Sequence, residues 1–311
     1  MLRVIITGGT GLIGSALAES LAKDGHDVIV LSRNPEKSAR GLRQGIRAER
    51  WDGRSAEGWG QLADGAGAIV NLAGESLVGV NPILGRWTPA RKRTIRESRL
   101  NAGQAVVEAV RAAASKPKVV IQSSAVGYYG PHGDERVTEE TPAGSDFLGK
   151  LCVEWEASTQ PVEALGVRRA IARTGLPLSK AGGFLPPLLL QHKLFAGGPL
   201  GSGRHYWPWI HMVDEVSALR FLIESGAEGA FNLSAPNPVT NKVFSQTLGK
   251  VLKRPAFIPA PAFAVRLAMG ELGDALLLTG QRQTPERLTA LGFPFKFTEL
   301  EGALKDVIGK S

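Results

Sequence analysis

The first thirty residues alternate between apolar runs typical of buried strands and a spacing typical of an amphipathic helix. Residues 2–6 are apolar except for Arg3, and residues 26–31 form a second, largely apolar run. Between them, residues 12–23 carry apolar side chains at helical spacing, and Gly25 follows. This order predicts a strand, a glycine-rich turn, a helix and a second strand, which together form a βαβ unit.

The same alternation continues as far as about residue 176. Further apolar runs predict four strands, at residues 46–51, 68–72, 119–122 and 168–172. Helical patterns lie between them, for example at residues 100–114 and 147–165. Alternating strands and helices favour the α/β class and a Rossmann-type, doubly wound parallel sheet. We expect residues 1–176 to form a nucleotide-binding domain, to which part of the chain after residue 205 returns.

From about residue 177 the chain is rich in proline and glycine, which indicates loops rather than regular sheet layers. The residues concerned are Pro177, Pro186, Pro187, Gly197, Gly198, Pro199, Gly201 and Gly203. Beyond them, Asp214 is a candidate N-cap for a helix at residues 215–224, and helical patterns follow at residues 242–252, 262–272 and 300–307. We expect residues 177–311 to form mainly a smaller α+β substrate lobe with a C-terminal helical extension.

Composition and charge narrow the classes of protein to which this 311-residue chain can belong. It is 43% hydrophobic and 21% charged, and no apolar run approaches the roughly 20 residues of a membrane-spanning helix, so no membrane is expected as a partner. Cys152 is the only cysteine, which excludes an internal disulfide and predicts a buried thiol in the reducing cytoplasm. The net charge of +8 comes from scattered basic residues, which favours an anionic cofactor over nucleic acid as the partner.

Glycines follow the first predicted strand in a pattern that suits a dinucleotide. Glycine at positions 8, 11 and 14 permits a tight turn, close approach of the backbone to a pyrophosphate and close packing of helix on strand. Backbone amides at the start of the helix can then donate to the phosphates. We predict a cofactor site formed by Gly8, Thr10, Gly11, Leu12, Ile13 and Gly14. A purely structural turn is the alternative interpretation.

The end of the second predicted strand indicates which dinucleotide binds. An NAD-binding protein usually has an acidic residue there for the ribose hydroxyls, whereas this chain has Ser32 and Arg33. Ser32 can donate a hydrogen bond and Arg33 can pair with a 2′-phosphate, so the sequence predicts NADP(H) as the cofactor. The alternative is that Arg33 is an ordinary solvated surface residue.

Two further strand ends carry residues suited to the same cofactor. Leu72, Ala73 and Gly74 follow the strand at residues 68–72, where small side chains let a ribose and pyrophosphate lie against the sheet. Ser123 and Ser124 end the next strand. We predict cofactor contacts at Leu72, Ala73, Gly74 and Ser123, with plain packing of strand against loop as the alternative.

These motifs together resemble the extended short-chain dehydrogenase/reductase superfamily, which includes nucleotide-sugar epimerases and dehydratases. Over nearly its whole length the chain is similar to an atypical branch, the epimerase family with a small C-terminal domain of unknown function. The shared motifs are residues 71–75, Arg86-Trp87-Thr88, Ser98-Arg99, residues 197–203 and Pro208-Trp209-Ile210-His211. The end of the chain is also similar, at Pro285, Arg287, Leu288, Leu291, Gly292, Phe293 and Phe295.

The resemblance implies a serine that orients the substrate, a tyrosine that transfers a proton and a lysine that holds the nicotinamide ribose. Ser124 matches the serine and Lys150 the lysine, but Asp146 then occupies the tyrosine position. Because the Lys150 cation favours an ionised Asp146, direct replacement of tyrosine by aspartate is not expected. Tyr128 or Tyr129 can supply a phenol instead, so we predict Ser124, Tyr128 and Lys150 as catalytic residues. Packing for the tyrosines and solvent exposure for the lysine are the alternatives.

The resemblance also implies cofactor contacts at Arg99 and Lys150, and the alternative for Arg99 is a helix-surface cation.

A predicted extended segment carries large side chains at alternate positions, Trp207, Trp209 and His211. These side chains either line a substrate pocket or pack in the core. His211 has no partner histidine at metal-ligand spacing, so we predict no metal site.

Two functions from different classes remain open. The first is an NADP(H)-dependent oxidoreductase, or an epimerase that uses transient hydride transfer, acting on a small carbonyl or hydroxyl substrate or on a nucleotide-sugar-like substrate. The second is a sensor or interaction protein that binds NADPH and has lost catalysis, as the missing tyrosine suggests. The sequence leaves open the substrate and whether the chain forms a homodimer.

Overall fold

The computed structural model describes residues 1–79 and 86–309. In the first part of the chain, strands and helices alternate as the hydrophobic pattern predicts. In chain order they are β1 (Arg3–Thr7), α1 (Leu12–Lys23), β2 (Asp27–Ser32), α2 (Pro35–Ala39), β3 (Ile46–Arg50), β4 (Ala68–Asn71), α3 (Pro89–Ala112), β5 (Val119–Ala125), β6 (Arg136–Val137), α4 (Phe147–Ala157) and β7 (Arg168–Thr174). Three short 3₁₀ helices join them, at Gly60–Ala63, Val126–Tyr129 and Gln160–Leu165.

Shorter strands and more helices make up the second part of the chain. They are β8 (Leu176–Leu178), α5 (Leu185–Lys193), β9 (Tyr206–Trp207), β10 (Trp209–His211), α6 (Met212–Glu224), β11 (Gly229–Leu233), β12 (Val239–Thr240), α7 (Asn241–Leu252), α8 (Ala262–Met269), α9 (Glu271–Gly273), β13 (Arg282–Gln283), α10 (Glu286–Ala290) and α11 (Leu300–Gly309). A single π-helical turn at Asp274–Leu278 follows α9.

Seven parallel strands form the central sheet, in the order β11-β7-β5-β4-β1-β2-β3. The chain runs outward from β1 through β2 to β3, then crosses back to place β4 on the other side of β1. Such sheets bind ligands at the carboxyl ends of the strands beside this switch point. The predicted Rossmann-type, doubly wound parallel sheet is confirmed. Its outermost strand, β11, comes from the chain after residue 205.

Both faces of the sheet are covered, which explains why its strands are almost continuously apolar. On one face Val4 and Ile6 of β1 pack with side chains of α1 and α6. On the other face Ile5 packs with side chains of α3, such as Val106. Each fully buried valine or isoleucine contributes roughly 1.5–3 kcal/mol of stabilisation. The central strands are therefore held firmly, and so are the loops that leave their carboxyl ends.

Helix α3 begins well before the helical pattern predicted at residues 100–114. Its first half is polar and strongly charged, so the apolar periodicity that marks a buried helix face is weak there. The start is nevertheless encoded locally, because Pro89 follows Thr88, whose Oγ1 accepts the backbone N–H of Arg91 at 3.1 Å. Helix α4 ends earlier than predicted, at Ala157, and the chain continues as a 3₁₀ helix near Pro161.

The prediction that Asp214 is the N-cap of the next helix is wrong. Helix α6 begins at Met212, and its N-cap is His211, whose Nδ1 accepts the backbone N–H of Val213 at 3.1 Å. Asp214 is buried and instead accepts the backbone N–H groups of Lys296 and Phe297, at 2.8 and 2.9 Å. This aspartate therefore ties the C-terminal region to α6, a role that only a distant part of the chain can give it.

Outside the central sheet, the described residues form three two-stranded sheets, in which β8 pairs with β10, β9 with β12 and β6 with β13. A second hydrophobic core, here called the lobe core, includes Trp207, Trp209 and Phe244, packed with Leu304 of α11. Because β6 precedes α4 and β13 lies near the C-terminus, their pairing fastens the end of the chain to the sheet domain. Among the residues that the structure describes, no helix combines the length and apolar character required to cross a membrane.

Candidate functional site

The glycine-rich turn between β1 and α1 is packed so closely that side chains cannot be accommodated. Gly8 has a φ of +68°, and a Cβ there would lie 2.7 Å from the carbonyl oxygen of Leu72. A Cβ on Gly14 would lie 2.4 Å from the carbonyl oxygen of Gly8. Helix α1 starts after Gly11 with no side-chain cap and no acidic residue in its first turn. Its free amides and positive dipole end thus suit a bound pyrophosphate.

At the end of β2, Ser32 and Arg33 lie beside the start of the short helix α2. The Ser32 Oγ lies 2.7 Å from the Ser38 Oγ and accepts the backbone N–H of Asn34 at 3.1 Å. The Arg33 side chain is exposed. The nearby carboxylate of Glu36 is paired with Arg50, at 2.9 Å. A phosphate placed here would meet a hydroxyl and a guanidinium, while the Glu36 carboxylate already has a cationic partner.

A row of buried polar side chains crosses the carboxyl ends of β1, β4 and β5. The Thr7 Oγ1 donates to the Asn71 Oδ1 at 2.6 Å, and the Asn71 Nδ2 donates to the Gln122 Oε1 at 2.9 Å. The Gln122 Nε2 in turn donates to the carbonyl oxygen of Ser123 at 2.7 Å. Because buried polar groups are costly unless paired, this row fixes the alignment of three strand ends.

The loop after β4 lies against this row and against α3. The backbone N–H of Ala73 donates to the Thr7 Oγ1 at 3.2 Å, which holds the loop close to the glycine turn. A Cβ on Gly74 would lie 3.0 Å from the guanidinium carbon of Arg99. The structure thus brings Leu72 and Ala73 next to Gly8, while Gly74 lies against Arg99.

Arg99 is a buried cation rather than a helix-surface residue. Its side chain is 8% exposed, and its Nη1 donates to the carbonyl oxygens of Glu75 and Ile95 at 3.1 and 3.0 Å. Its guanidinium carbon lies 4.8 Å from the centre of the Trp155 ring. The Glu75 carboxylate pairs with Arg91 instead, and within the described residues the Arg99 Nε has no hydrogen-bond partner. Burial lowers the pKa of Arg99 to about 10, so the group remains cationic at neutral pH.

A cavity of about 170 Å³ lies beside Arg99, at the carboxyl ends of β5 and β7. Its walls come from the end of β5 and the turn after it, one face of α4, the chain at residues 175–176 and 206–208, and the C-terminal segment at residues 275–281. Most lining side chains are apolar, among them Leu148, Trp155 and Leu276. A dinucleotide with one end near β2 and its pyrophosphate on the glycine turn would extend past β4 towards this cavity.

The face that α4 presents to the cavity does not include Lys150. Leu148, Leu151, Cys152 and Trp155 line the cavity, whereas the Lys150 side chain is exposed. At about 100° of rotation per residue, Leu148 and Cys152 share one face of the helix and Lys150 lies on the far side. The pair at helical i, i+4 spacing that meets the cavity is therefore Leu148 and Cys152. Apolar spacing at 148, 151, 152 and 155 was the sequence signal that identifies this face.

Two polar side chains near α4 line the cavity, Asp146 at the helix N-cap and Cys152 within the helix. The Asp146 Oδ1 accepts the backbone N–H of Gly149 at 2.7 Å, so this side chain caps the helix. Cys152 is buried, as the sequence predicts, and burial raises the pKa of its thiol to about 12, with the Glu156 carboxylate adding to the effect. The thiol therefore stays protonated at pH 7 and acts as a small apolar wall.

Ser124 belongs to a buried ionic cluster on the side of the sheet that faces α4. Its Oγ donates to the Glu156 Oε1 at 2.6 Å. Arg173 of β7 holds the same carboxylate from two nitrogens, Nε to Oε1 at 2.9 Å and Nη2 to Oε2 at 3.0 Å. Although burial favours a neutral guanidinium, the Glu156 carboxylate raises the pKa of Arg173. Ser124 is thus committed to a structural partner and is not among the residues that line the cavity.

The two tyrosines after β5 both pack against Arg173. The Tyr129 hydroxyl donates to the Asn232 Oδ1 at 2.6 Å and accepts from the Arg173 Nη1 at 3.0 Å. Burial raises the pKa of Tyr129 to about 12, despite the nearby Arg173 cation. Tyr128 is half-buried, and the Arg173 guanidinium carbon lies 3.5 Å from its ring centre. Both rings stabilise the ionic cluster, and neither lines the cavity.

The alternating segment at 207–211 is divided between cavity and core. Trp207 lines the cavity, while Trp209 is fully buried in the lobe core. His211 stacks on Phe297 at 3.8 Å between ring centres, and its Nε2 lies 3.1 Å from the Asp306 Oδ2. Within residues 1–79 and 86–309, no group of three His, Cys, Asp or Glu side chains is arranged to hold a metal ion.

One buried carboxyl group lies close to the ionic cluster but outside it. Glu215 of α6 has no solvent exposure, and the Thr174 Oγ1 donates to its Oε1 at 2.8 Å. Its Oε2 has no hydrogen-bond partner among the described residues. Burial raises the pKa of Glu215 to about 8, so the group is largely protonated at neutral pH.

Sequence reasoning missed the residues that the tertiary structure gathers around β7. Arg173, Glu156 and Asn232 come from three separate elements, and Gln283 of β13 donates from its Nε2 to the Asn232 Oδ1 at 2.7 Å. None of them stands in a motif, so no local pattern marks them. Sequence reasoning also missed that residues 275–281 form the C-terminal wall of the cavity, because the chain must fold back before these residues meet α4.

Comparison with known proteins gives similarities over the whole chain. The family model described as "NAD dependent epimerase/dehydratase family" matches residues 4–234, and the model "Domain of unknown function (DUF1731)" matches residues 260–307. Epimerase family protein YfhF of Bacillus subtilis (strain 168) is 36% identical, covering 99% of this chain and 98% of that protein. Epimerase family protein SDR39U1 of Homo sapiens is also 36% identical, covering 99% of this chain and all of the human protein.

Solved structures show the same relationship. The crystal structure of human epimerase family protein SDR39U1 (isoform2) with NADPH has a TM-score of 0.87 and 34% sequence identity, covering both chains completely. The UDP-glucose 4-epimerase of Thermus thermophilus, in complex with NAD, has a TM-score of 0.77 at 17% identity and full coverage of both chains. At that level of identity the second similarity concerns the fold alone.

Proposed function

This chain belongs to the NAD dependent epimerase/dehydratase family, and on that premise we propose that it binds NADP(H) and transfers a hydride to or from a small carbonyl or hydroxyl substrate. The observation that carries the proposal is the turn between β1 and α1. There α1 packs closely on the turn, because a Cβ on Gly14 would lie 2.4 Å from the Gly8 carbonyl oxygen. No described side chain caps the helix, so its first amides can donate to a pyrophosphate.

The cofactor site that we propose follows the carboxyl edge of the sheet. The pyrophosphate lies on the glycine turn, the ribose rests on the loop after β4, and the far end of the cofactor passes Ser123 towards the cavity. The residues that would hold it are Gly8, Thr10, Gly11, Leu12, Ile13, Gly14, Ser32, Arg33, Leu72, Ala73, Gly74 and Ser123.

Preference for NADP(H) over NAD(H) rests on the charges at the end of β2. The hydroxyl of Ser32 and the exposed guanidinium of Arg33 suit a 2′-phosphate, and Glu36 is already paired with Arg50. The human relative whose structure contains NADPH lends support to the same choice.

The chemistry that NADPH supplies when bound is a hydride, and the protein's part is to orient the substrate and exclude water. Ser124 and Tyr128 belong to the ionic cluster around Arg173, while Lys150 is exposed on the far side of α4. These three residues were predicted to be catalytic. A catalytic role would require access to the cavity, and none of the three is among the described residues that line it.

That arrangement favours a second candidate function, a protein that senses NADPH or responds to it without catalysis. Leu148 and Cys152 meet the cavity with the i, i+4 spacing that in typical superfamily members belongs to the catalytic tyrosine and lysine. A leucine holds no exchangeable proton, and a thiol with a pKa of about 12 gives up its proton poorly.

One experiment separates these functions. The full chain is titrated with NADPH and NADH by calorimetry, then mixed with NADPH and a panel of aldehydes, ketones and nucleotide sugars while the cofactor absorbance is followed. Tight NADPH binding with turnover of a carbonyl compound is the expected result. Tight binding with no turnover across the panel supports the sensor. Absence of binding heat from either nucleotide on folded protein would overturn both.

A further inference from the structure

We propose that the cavity beside α4 binds a compact, mostly apolar carbonyl compound that carries one acidic group, which is held by Arg99. The inference rests on the proposed function, because it names the class of substrate that would meet the cofactor. It differs from the nucleotide sugars of related folds in size, in polarity and in the position of the charge.

The size of the cavity limits what it can hold. Its volume is about 170 Å³. An apolar cavity of roughly 150 Å³ in another protein holds one benzene molecule, whereas pockets for drug-sized ligands measure roughly 300–1,000 Å³. A single ring with a short side chain therefore fits, and a nucleoside diphosphate with a sugar attached does not.

The walls offer a sugar few polar groups. Thr279 and Gln281 line the cavity, but each already donates to a main-chain carbonyl oxygen, that of Asp274 and that of Gly130. Leu148, Leu151 and Trp155 of α4 form one side, and Leu176, Trp207 and Leu276 come from the lobe and the C-terminal segment. A sugar ring would bring several hydroxyl groups into contact with carbon atoms, and each hydroxyl left without a partner loses the hydrogen bonds it makes with water. A flat apolar ring, in contrast, gains contact with the two indoles.

Among the described residues that line the cavity, Arg99 is the only cation, and the only carboxylate is that of Asp146, whose Oδ1 accepts the backbone N–H of Gly149. The Arg99 side chain is more than nine-tenths buried. Its Nη1 donates two hydrogen bonds, and both acceptors are neutral carbonyl oxygens. Arg173, the other buried arginine near the cavity, is fully paired with the Glu156 carboxylate. Buried cations are normally paired with an anion, and within the described residues no carboxylate lies within 4.0 Å of Arg99, since Glu75 pairs with Arg91. An acidic group on a ligand would complete the pair.

The Arg99 guanidinium is also held ready for such a group. The carbonyl oxygens of Glu75 and Ile95 fix Nη1, and the face of the cation rests on the Trp155 ring at 4.8 Å. Gly74 provides the room, because a Cβ there would lie 3.0 Å from the guanidinium carbon. A cation that is already oriented loses little conformational freedom when it binds an anion.

The test uses three probes and calorimetry on the full chain saturated with NADP⁺, so that binding is measured without reduction. The probes are phenylglyoxylate, which is an aromatic 2-oxo acid, its uncharged methyl ester, and UDP-glucose. We expect phenylglyoxylate to bind at least tenfold more tightly than the ester, and UDP-glucose to give no measurable heat. Tighter binding of UDP-glucose than of phenylglyoxylate, or equal binding of acid and ester, overturns the proposal.

Variants then locate the site. Arg99→Met should remove the tenfold preference for the acid while leaving NADP⁺ affinity within twofold. If the variant loses NADP⁺ affinity instead and keeps the preference, the Arg99 charge serves the cofactor and the proposal fails. Ala275→Trp, which adds an indole at the C-terminal wall, should weaken both phenylglyoxylate and its ester at least tenfold. Its matched control, Ala264→Trp, changes an exposed alanine of α8 and should alter neither by more than twofold.

Failure of this proposal can be told apart from failure of the proposed function. NADPH and NADP⁺ affinities are measured on every variant before any probe is added. If the nucleotide binds and the probes behave contrary to expectation, only the substrate class is wrong. If Arg99→Met does not fold, the pair of alanine variants still decides whether the probe lies in this cavity.

Discussion

The two ends of the proposed site are built by different means. The glycine turn depends on the backbone, because Gly8 and Gly14 lie so close to main-chain atoms that neither position has room for a side chain. At the cavity, side chains from α3, α4, β9 and the C-terminal segment make the walls, and the ionic cluster of Glu156 and Arg173 supports them from behind. The first end depends on neighbours in sequence, and the second on residues that only the completed fold brings together.

The glycine turn and the cavity are expected to tolerate amino-acid substitutions differently. A backbone site fails when any added atom enters it, because the main chain cannot move away without disturbing β1 and α1. A site made of side chains changes gradually as individual side chains are replaced, so long as buried charges remain paired. We therefore expect substitutions in the turn to cause large losses of NADPH affinity. At the cavity, we expect the loss of stability to depend on whether the buried charges stay paired.

The largest effect on cofactor binding is expected at the turn. Gly14→Ala places a Cβ 2.4 Å from the Gly8 carbonyl oxygen. We expect NADPH affinity to fall by about a hundredfold or more, which is ~2.7 kcal/mol. The matched control is Gly302→Ala in α11, where a Cβ meets open space. This control should leave NADPH binding unchanged and stabilise the fold by roughly 0.5–1 kcal/mol. Unchanged NADPH affinity in Gly14→Ala would show that the cofactor does not lie on the turn.

The largest effect on the free energy of unfolding is expected at the ionic cluster. The side chains of Arg173 and Glu156 are only 6% and 11% exposed. Arg173→Met should lower the free energy of unfolding by about 3–5 kcal/mol, because it leaves Glu156 buried without its partner. Adding Glu156→Gln should restore part of that loss. Denaturant unfolding measures both variants.

An exposed pair provides the comparison for this variant. Arg50 and Glu36 are 67% and 69% exposed at a similar separation. Arg50→Met should change the free energy of unfolding by less than about 1 kcal/mol. If Arg173→Met lowered the free energy of unfolding no more than Arg50→Met, the buried ionic cluster would not stabilise the fold around the cavity.

A third prediction concerns Glu215, whose folded-state pKa of about 8 lies above the ordinary value of 4.5. The folded protein therefore holds a proton that the unfolded chain releases, and the stability this proton confers is complete below pH 4.5. As pH rises from 4.5 through about 8, the wild-type chain should lose stability relative to Glu215→Gln by at most ~1.4 kcal/mol per pH unit. Unfolding curves from pH 5 to pH 9 measure the difference. Parallel curves for the two proteins would refute the assigned protonation state.

The smallest effect is expected at the exposed end of the cofactor site. Arg33→Ala removes a cation but no buried atom. A charge-assisted hydrogen bond contributes about 1.5–3 kcal/mol, so NADPH affinity should fall roughly 10- to 100-fold while NADH affinity stays nearly constant. Arg43→Ala, which removes a nearby arginine paired with Glu19, serves as control and should change neither. Equal weakening of NADPH and NADH by Arg33→Ala would contradict contact with a 2′-phosphate.

Local signals in the sequence predicted the parallel sheet and the first helix well. The bounds of α1, Leu12–Lys23, agree with the apolar spacing because its buried face and its glycine-rich start lie within a few residues of one another. The start of α3 was predicted too late, since its polar first half lacks that spacing and depends on the Thr88 cap. Distant contacts decided Asp214, which bonds to the backbone of residues 296 and 297 instead of capping α6.

The sequence by itself determined that a short strand, a glycine turn and a helix follow one another, because steric limits on the backbone and the period of apolar residues act over a few positions. Only the tertiary structure decided which face of α4 meets the cavity, that Arg99 is buried with no carboxylate partner among the described residues, and that residues 275–281 close the far wall. The physical reason is that burial and charge pairing depend on which parts of the chain come together, and a linear pattern does not contain that information.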